Sequence, residues 1–218
     1  INMSNIETLY PHGGYIFKLH FDFDWKTLYP ICKELVNSEL AYSPLVKNGK
    51  SSHMNKLSPH KIEEFRPYYM WLSSLIKEIF TKNCQYSEDV MEYFVANSWV
   101  NVQGNGGHTT VHNHANVFMV ATAYLNLPKN GGFFECVDPL EYNKSNQYHD
   151  DPNWMWKEVP AITGDVLVFP GWLKHRTQVN NAHSKLLIDD NGVGREENSS
   201  EDRWVLTTNF TQEFKEIV

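Results

Sequence analysis

Several things are scarce in this sequence, and each shortage removes a class of function. No apolar run approaches the ~20 residues that cross a bilayer as a helix; the longest, around Val117 to Leu125, is broken by Thr122. Cysteine occurs three times, at Cys32, Cys84 and Cys136, far apart and with no Cys-x-x-Cys. That pattern reads as reduced thiols in a cytoplasmic, intracellular protein, not as a disulfide framework. There is no basic run, and the formal charge of −7 argues against a broad electrostatic grip on nucleic acid. No internal repeat and no Gly-rich phosphate loop is found, and Ile1-Asn2-Met3 opens neither a charged nor an apolar leader, so no signal peptide is expected. Asn198-Ser199-Ser200 and Asn209-Phe210-Thr211 match the glycosylation pattern and are taken as chance matches.

What is present is a globular chain of 218 residues, 41% hydrophobic and 14% aromatic, enough for one large core. Tyr15 to Phe23 alternates like a strand, and Asp24 is placed to cap a helix over residues 25–38. Residues 41–59 are polar and read as a loop. A second helical pattern covers 60–81, with Ile62, Phe65, Tyr69, Leu72, Ile76 and Ile79 on one stripe. Its aromatics are most economically packing residues.

After residue 90 the character changes to short strands divided by turns. Tyr93–Val102, His108–His114, Val117–Leu127, Phe133–Val137, Val166–Phe169, Trp172–Val179 and Trp204–Phe210 are the strand candidates, with Gly104-Asn105-Gly106-Gly107 as a turn. Many short strands after two helices predict an antiparallel double-sheet barrel braced by helices. Residues 1–90 are expected to supply a strand and helices that pack on a core formed by 91–218, the two making one compact domain. The polar stretch 139–158, with Trp154 and Trp156, is either a lid over the barrel mouth or a solvated insertion.

The chemistry centres on Val111-His112-Asn113-His114. If this segment is extended, His112 and His114 point the same way with Cα atoms roughly 6.5–7 Å apart, within reach of one metal ion. The pair alone is equally an ordinary polar strand face. His175 follows a tight turn at a strand start, a position that directs a side chain into a barrel mouth; alone, it also reads as an ordinary hydrogen-bonded histidine. His108 shares parity with His112 but would stand roughly 13 Å away along an extended chain, too far for the same ion.

These residues carry a family resemblance. Ser98-Trp99-Val100-Asn101-Val102, His112-Asn113-His114, Tyr124-Leu125-Asn126, Gly131-Gly132-Phe133-Phe134, Gly164-Asp165-Val166-Leu167-Val168-Phe169-Pro170 before His175, and Arg203-Trp204-Val205-Leu206 follow one another in the order seen in iron(II)- and 2-oxoglutarate-dependent oxygenases. The series, about half the chain, resembles the prolyl-4-hydroxylase-like branch most, with a set of oxygenases frequent in phages and marine bacteria. The resemblance implies a double-stranded β-helix (jelly roll, cupin-like) core. It also implies a dioxygenase that hydroxylates a C–H bond with Fe(II), 2-oxoglutarate and O₂, giving succinate and CO₂. Carried over by position, His112 and His175 are metal ligands, and His114 stands where the family has a carboxylate. Glu135 and Asp138 are the nearest downstream carboxylates and are expected to lie outside the set, because a Gly-Gly turn separates them from the pair.

For the distal carboxylate of 2-oxoglutarate the resemblance implies Tyr124 and Arg203. Lys185 is the rival, since it lies at the family's usual offset from the distal histidine. Arg203 is preferred because the residues after it alternate like a final barrel strand. Tyr124 also reads as a plain core tyrosine. A three-histidine set is equally what zinc uses to activate water, so a zinc-dependent hydrolase or lyase, and a non-catalytic metal-binding jelly roll, are the alternatives. The substrate is not readable from the sequence.

Overall fold

The computed structural model describes residues 7–8, 16–83, 91–137, 155–182 and 201–214. Ten strands run in chain order: β1 (Glu7–Thr8), β2 (Phe17–His20), β3 (Val46–Ser51), β4 (Met91–Thr109), β5 (Met119–Asn126), β6 (Phe134–Val137), β7 (Trp156–Val159), β8 (Asp165–Pro170), β9 (His175–Thr177) and β10 (Arg203–Phe214). Two helices, α1 (Tyr29–Asn37) and α2 (Arg66–Glu78), lie between the early strands. The strands form two antiparallel sheets, a large one in the order β1-β2-β8-β5-β10-β4-β3 and a small one in the order β7-β6-β9. This is the double-stranded β-helix expected from the resemblance.

Side-chain alternation explains how one sheet serves two interiors. From β5, Ala121, Ala123 and Leu125 join the cluster that includes Leu28, Cys32, Leu72 and Ile76 of the helical layer. Val120 and Tyr124 face the other way, into the space between the sheets with Phe134, Leu167 and Phe169. Each large side chain so buried contributes about 1.5–3 kcal/mol, so the helices brace the sheet from outside while the inner face is left to build a cavity. The helices begin later than the expected residues 25 and 60, after short 3₁₀ turns, and each has Pro in its first turn. Asp24 caps a short 3₁₀ turn ahead of α1, its carboxylate accepting from the Lys26 amide at 3.2 Å. The Tyr69 hydroxyl pairs with that of Thr208 at 3.3 Å and pins α2 to β10.

Four expectations are corrected. Residues 41–59 are not all loop, since β3 runs through them, and β7 occupies part of the expected polar insertion. Both are edge strands of their sheets, where charged, solvent-facing residues guard a free backbone edge and erase the apolar alternation. Gly104–Gly107 does not end a strand. It bulges out of one long β4, which pairs with Lys47 through His108 and with Gly49 through Gln103. The fourth concerns His112–His114, which lie outside any strand. Trp154, Asp138 and Lys185 fall outside the described residues.

The turn after β8 places the metal-binding candidates. Gly171 donates to the Phe118 carbonyl at 3.1 Å and accepts from the His114 amide at 2.8 Å. A Cβ on Gly171 would stand 2.1 Å from the Val117 carbonyl oxygen, so backbone must shift to admit any other residue. Gly171→Ala is expected to cost at least about 2 kcal/mol of stability, an overpacking penalty that cannot relax through a side chain. Urea unfolding of the two proteins measures it.

Candidate metal centre

His112 and His175 face each other across an isolated antiparallel bridge. The His112 amide donates to the His175 carbonyl at 3.0 Å, and the His175 amide returns the bond at 2.9 Å. Residues that exchange both bonds have Cα atoms about 5.5 Å apart. That brings the two rings to 4.2 Å between centroids. The His114 ring lies 5.1 Å from that of His112 and 5.2 Å from that of His175. Ligand atoms of the three histidines all fall within 4.8 Å of one another. The three histidines come together by a different local device than the one expected: a bridge and a turn position them, not the period of a strand.

Each imidazole has one nitrogen committed to the protein. Nδ1 of His112 donates to the Thr110 carbonyl at 2.8 Å, Nδ1 of His175 to the Leu173 carbonyl at 2.8 Å, and Nδ1 of His114 to Asn209 Oδ1 at 2.7 Å. With Nδ1 protonated, Nε2 keeps its lone pair, which is the form that binds a metal. Burial, reinforced by the neighbouring histidines, pushes all three below their usual range: His114 to about 4, His175 well below 6.5, and His112 downward by burial in the first place. Three neutral, pre-oriented imidazoles in one cluster fit a divalent transition metal.

The groups packed against the three rings are aromatic side chains and the Asn209 amide. Phe134 stacks on His175 at 5.1 Å and Trp99 on His114 at 5.8 Å. His53 stands edge-on to Trp99 at 4.6 Å, at the mouth. The cluster opens into a cavity of about 450 Å³, a size common for small-molecule sites. Among the described residues, no Asp, Glu, Lys or Arg lines it. Glu135 is turned away, its carboxylate 2.6 Å from Arg176 Nε. Trp156 covers that same Arg176, 4.0 Å from its guanidinium carbon, and thus braces the small sheet instead of forming part of a lid.

The cosubstrate candidates are placed differently from the direct contact expected. Arg203 is fully buried and, like Tyr124, does not line the cavity. Burial pulls the Arg203 guanidinium down to about 10 and pushes the Tyr124 phenol up to about 12, the Arg203 charge offsetting part of the latter. Among the described residues the buried Tyr124 hydroxyl has no hydrogen-bond partner. Gln103, Thr109 and Thr177 do line the cavity; Gln103 and Thr177 accept from Arg203, and Thr109 is bonded to both of them. Sequence reading passed over these three and Asn209. The signal for Asn209 was available: it lies six residues after Arg203, on the same face of the final strand. The glycosylation match at Asn209 is excluded by its burial and its bond to His114.

Comparison with known proteins gives the frame for this geometry. A sequence profile of the family described as "Putative 2OG-Fe(II) oxygenase" matches residues 97–186, a segment that holds all three histidines but fewer than half of the 218 residues. No curated protein matches in sequence. Among solved structures, a Pseudomonas putida prolyl-4-hydroxylase is similar with a TM-score of 0.55 and 13% identity, over 90% of this chain and 91% of that one. HygX from Streptomyces hygroscopicus, seen with nickel, 2-oxoglutarate and hygromycin B, gives 0.57 and 10%, over 90% and 82%. The epimerase SnoN, seen with Fe³⁺, alpha ketoglutarate and nogalamycin RO, gives 0.54 and 11%, over 91% and 81%. At such identities these likenesses are of fold.

Two outcomes test the centre itself. Asn209→Leu removes the oxygen that fixes His114, and a 10–100-fold loss of Ni(II) affinity is expected from losing such an outer contact, read by titration calorimetry. The pH dependence follows from the depressed histidines. The unfolded chain protonates them near 6.5 while the fold holds His114 neutral to about 4, so the unfolded state binds more protons across that window. The metal-free protein is therefore expected to lose stability as pH falls from 6.5 towards 4, in denaturant titrations at stepped pH. The histidine-bearing segment 97–186 is thus similar to the family described as "Putative 2OG-Fe(II) oxygenase", and the double-stranded β-helix around it is the fold of the solved prolyl-4-hydroxylase and HygX.

Proposed function

We propose that His112, His114 and His175 hold Fe(II) and that the protein is a 2-oxoglutarate-dependent dioxygenase, a hydroxylase of an unidentified substrate. The convergence of three imidazoles, each with Nδ1 bonded to a protein oxygen and its ligand atom directed at a common point, carries this reading. Bound Fe(II) and 2-oxoglutarate supply the oxidising power: O₂ is split between substrate and 2-oxoglutarate, which leaves as succinate and CO₂. The chain's own part is binding, orientation and exclusion of water. Trp99, Phe134 and Phe169 wall the histidines with apolar surface. Arg203 and Tyr124 serve the distal carboxylate end of the cosubstrate, since Arg203 is a buried cation with no carboxylate partner among the described residues.

The reading departs from the usual ligand set at His114, where a neutral donor replaces an anionic one. Three histidines are also a zinc set. A zinc hydrolase needs a general base beside the metal. The buried carboxylates Glu135 and Asp165 are engaged elsewhere, by Arg176 and by His20 and the Ile162 amide. An intracellular location accords with the buried free thiol of Cys32. Among the described residues no helix is long and apolar enough to cross a membrane.

Anaerobic addition of Fe(II) and then 2-oxoglutarate is expected to give a weak visible charge-transfer band, and admission of O₂ to give succinate. Absence of both, with zinc as the tightly held metal, would sink the oxygenase reading. His175→Ala is expected to lose stoichiometric metal; a variant that keeps it removes His175 from the set.

A further inference from the structure

We propose that Asn101 is the substrate-selecting residue of this cavity, and that its carboxamide takes a neutral amide, an N–H beside a C=O in one plane. The inference deepens the oxygenase reading and rests on it, because that reading supplies the cavity with a substrate as well as a cosubstrate. Its starting point is an unpaired acceptor. Asn101 is 9% exposed and lines the cavity, and its Oδ1 is buried with no hydrogen-bond partner among the described residues. A buried acceptor left unmade costs free energy, and a leucine of nearly the same size would avoid that cost. An asparagine kept in such a place is a group whose partner arrives from outside the chain.

Strand register fixes where the carboxamide points. Asn101 pairs with Val205 of β10 on one side and with Ser51 of β3 on the other. Directly opposed residues share a face, and Val205 packs between the sheets, so Asn101 faces the cavity. Trp99, two residues nearer the metal candidates, shares that face and stacks on His114 at 5.8 Å. His53, two residues beyond Ser51, closes the outer side, edge-on to Trp99 at 4.6 Å. Its amide donates to Ser51 Oγ at 3.2 Å, which ties the chain after β3 to the same place. Pro44, Leu45 and Met54 supply an apolar lip. The carboxamide is thus a polar spot set into an apolar and aromatic wall.

The chemistry of its partner follows by elimination. 2-Oxoglutarate carries only acceptors, so it leaves the Asn101 oxygen unpaired whichever way the carboxamide is turned. An ammonium substrate would approach both a metal and the buried Arg203 cation, and among the described residues no carboxylate lines the cavity to receive it. A lone hydroxyl matches either the oxygen or the nitrogen of the carboxamide in its plane. An amide edge matches both, through two parallel N–H···O bonds, and its flat body suits the indole of Trp99.

Benzamide is the probe. Its controls are acetophenone, which has the same shape with a methyl in place of the amide nitrogen, and benzoate, which is charged. Each is titrated by ligand-observed NMR into the full chain loaded with Ni(II) and 2-oxoglutarate. Benzamide should bind at least about 10-fold more tightly than acetophenone, the selectivity expected when the wrong ligand leaves a buried acceptor unpaired. Benzoate should bind no better than acetophenone. Asn101→Leu should abolish the preference without weakening acetophenone. Because it removes an unpaired buried group, it should also raise the urea midpoint of the ligand-free protein. Wild type that does not bind benzamide, or binds it no better than acetophenone, overturns the proposal, as does an unchanged preference in Asn101→Leu. An Asn101→Leu protein that is destabilised or fails to fold makes the carboxamide a structural group and overturns it too. Wild type that selects benzamide yet gives no charge-transfer band with Fe(II) and 2-oxoglutarate keeps the amide site and loses the oxygenase reading, so the two failures are distinct.

Discussion

The mutual pair of backbone hydrogen bonds between His112 and His175 is the constraint on which the site depends. It is a single bridge, yet it sets two of three ring positions and ties the loop after β4 to the first residue of β9 in the small sheet. From it the order spreads through backbone alone. The His114 amide reaches Gly171, the Gly171 amide reaches Phe118, and the Leu173 amide reaches Pro170. Both bridged histidines then use the same device to aim their rings, an Nδ1 bond to the carbonyl two residues earlier. Ring orientation is thus a property of local backbone, and a metal need not assemble its own ligands. Such preorganisation leaves more of the binding energy available for what the metal must hold.

His114 is held differently, and the difference matters. Its Nδ1 partner is a side chain, Asn209, delivered from β10 across the barrel. That makes β10 the element that links the two ends of the cavity. Read along its inner face, Arg203 charges the deep end, Val205 and Thr207 line the middle, and Asn209 fixes a ligand candidate at the metal end. One strand, through its period of two, therefore sets the distance between the metal and the buried cation. The bond from Tyr69 to Thr208 on the opposite face anchors that ruler to the helical layer.

How much of this was legible depends on where burial is two-sided. Strands such as β5 and β8, buried on both faces, announced themselves in sequence, as did the stripe of α2. The edges β3 and β7 did not, because an edge carries lysine and glutamate where a central strand carries valine. The glycines at 104–107 looked like a hairpin turn, since sequence cannot tell a bulge within a strand from a turn between two; the bulge is decided by Asn180, whose amide donates to the Gly107 carbonyl and whose carbonyl accepts from Gly106. The histidine triad was legible as residue types in order, and its geometry was not. An isolated bridge has no sequence period. The same holds for Gln103, Thr109 and Thr177, whose importance comes only from standing between a cavity and an arginine 26 or more residues away in sequence.

The charge balance of the cavity follows from these placements. A divalent metal held by the three neutral imidazoles would receive no compensating negative charge from them. The described cavity lining adds none. Behind the cavity stands the Arg203 cation, desolvated and, among the described residues, satisfied by neutral dipoles. A cavity bounded by a metal at one end and a guanidinium behind the other disfavours a second cation and incompletely suits a monoanion. A dianion with its charges at opposite ends meets both centres, and the desolvation cost of each is offset by the other. By the same reasoning the mouth, where Ser43, Pro44, Leu45, Met54 and Asn113 are found, has no charge among the described residues with which to select a substrate. Discrimination there falls to shape and to neutral hydrogen bonds, whose rejection of a wrong partner comes from leaving a buried amide or hydroxyl unpaired.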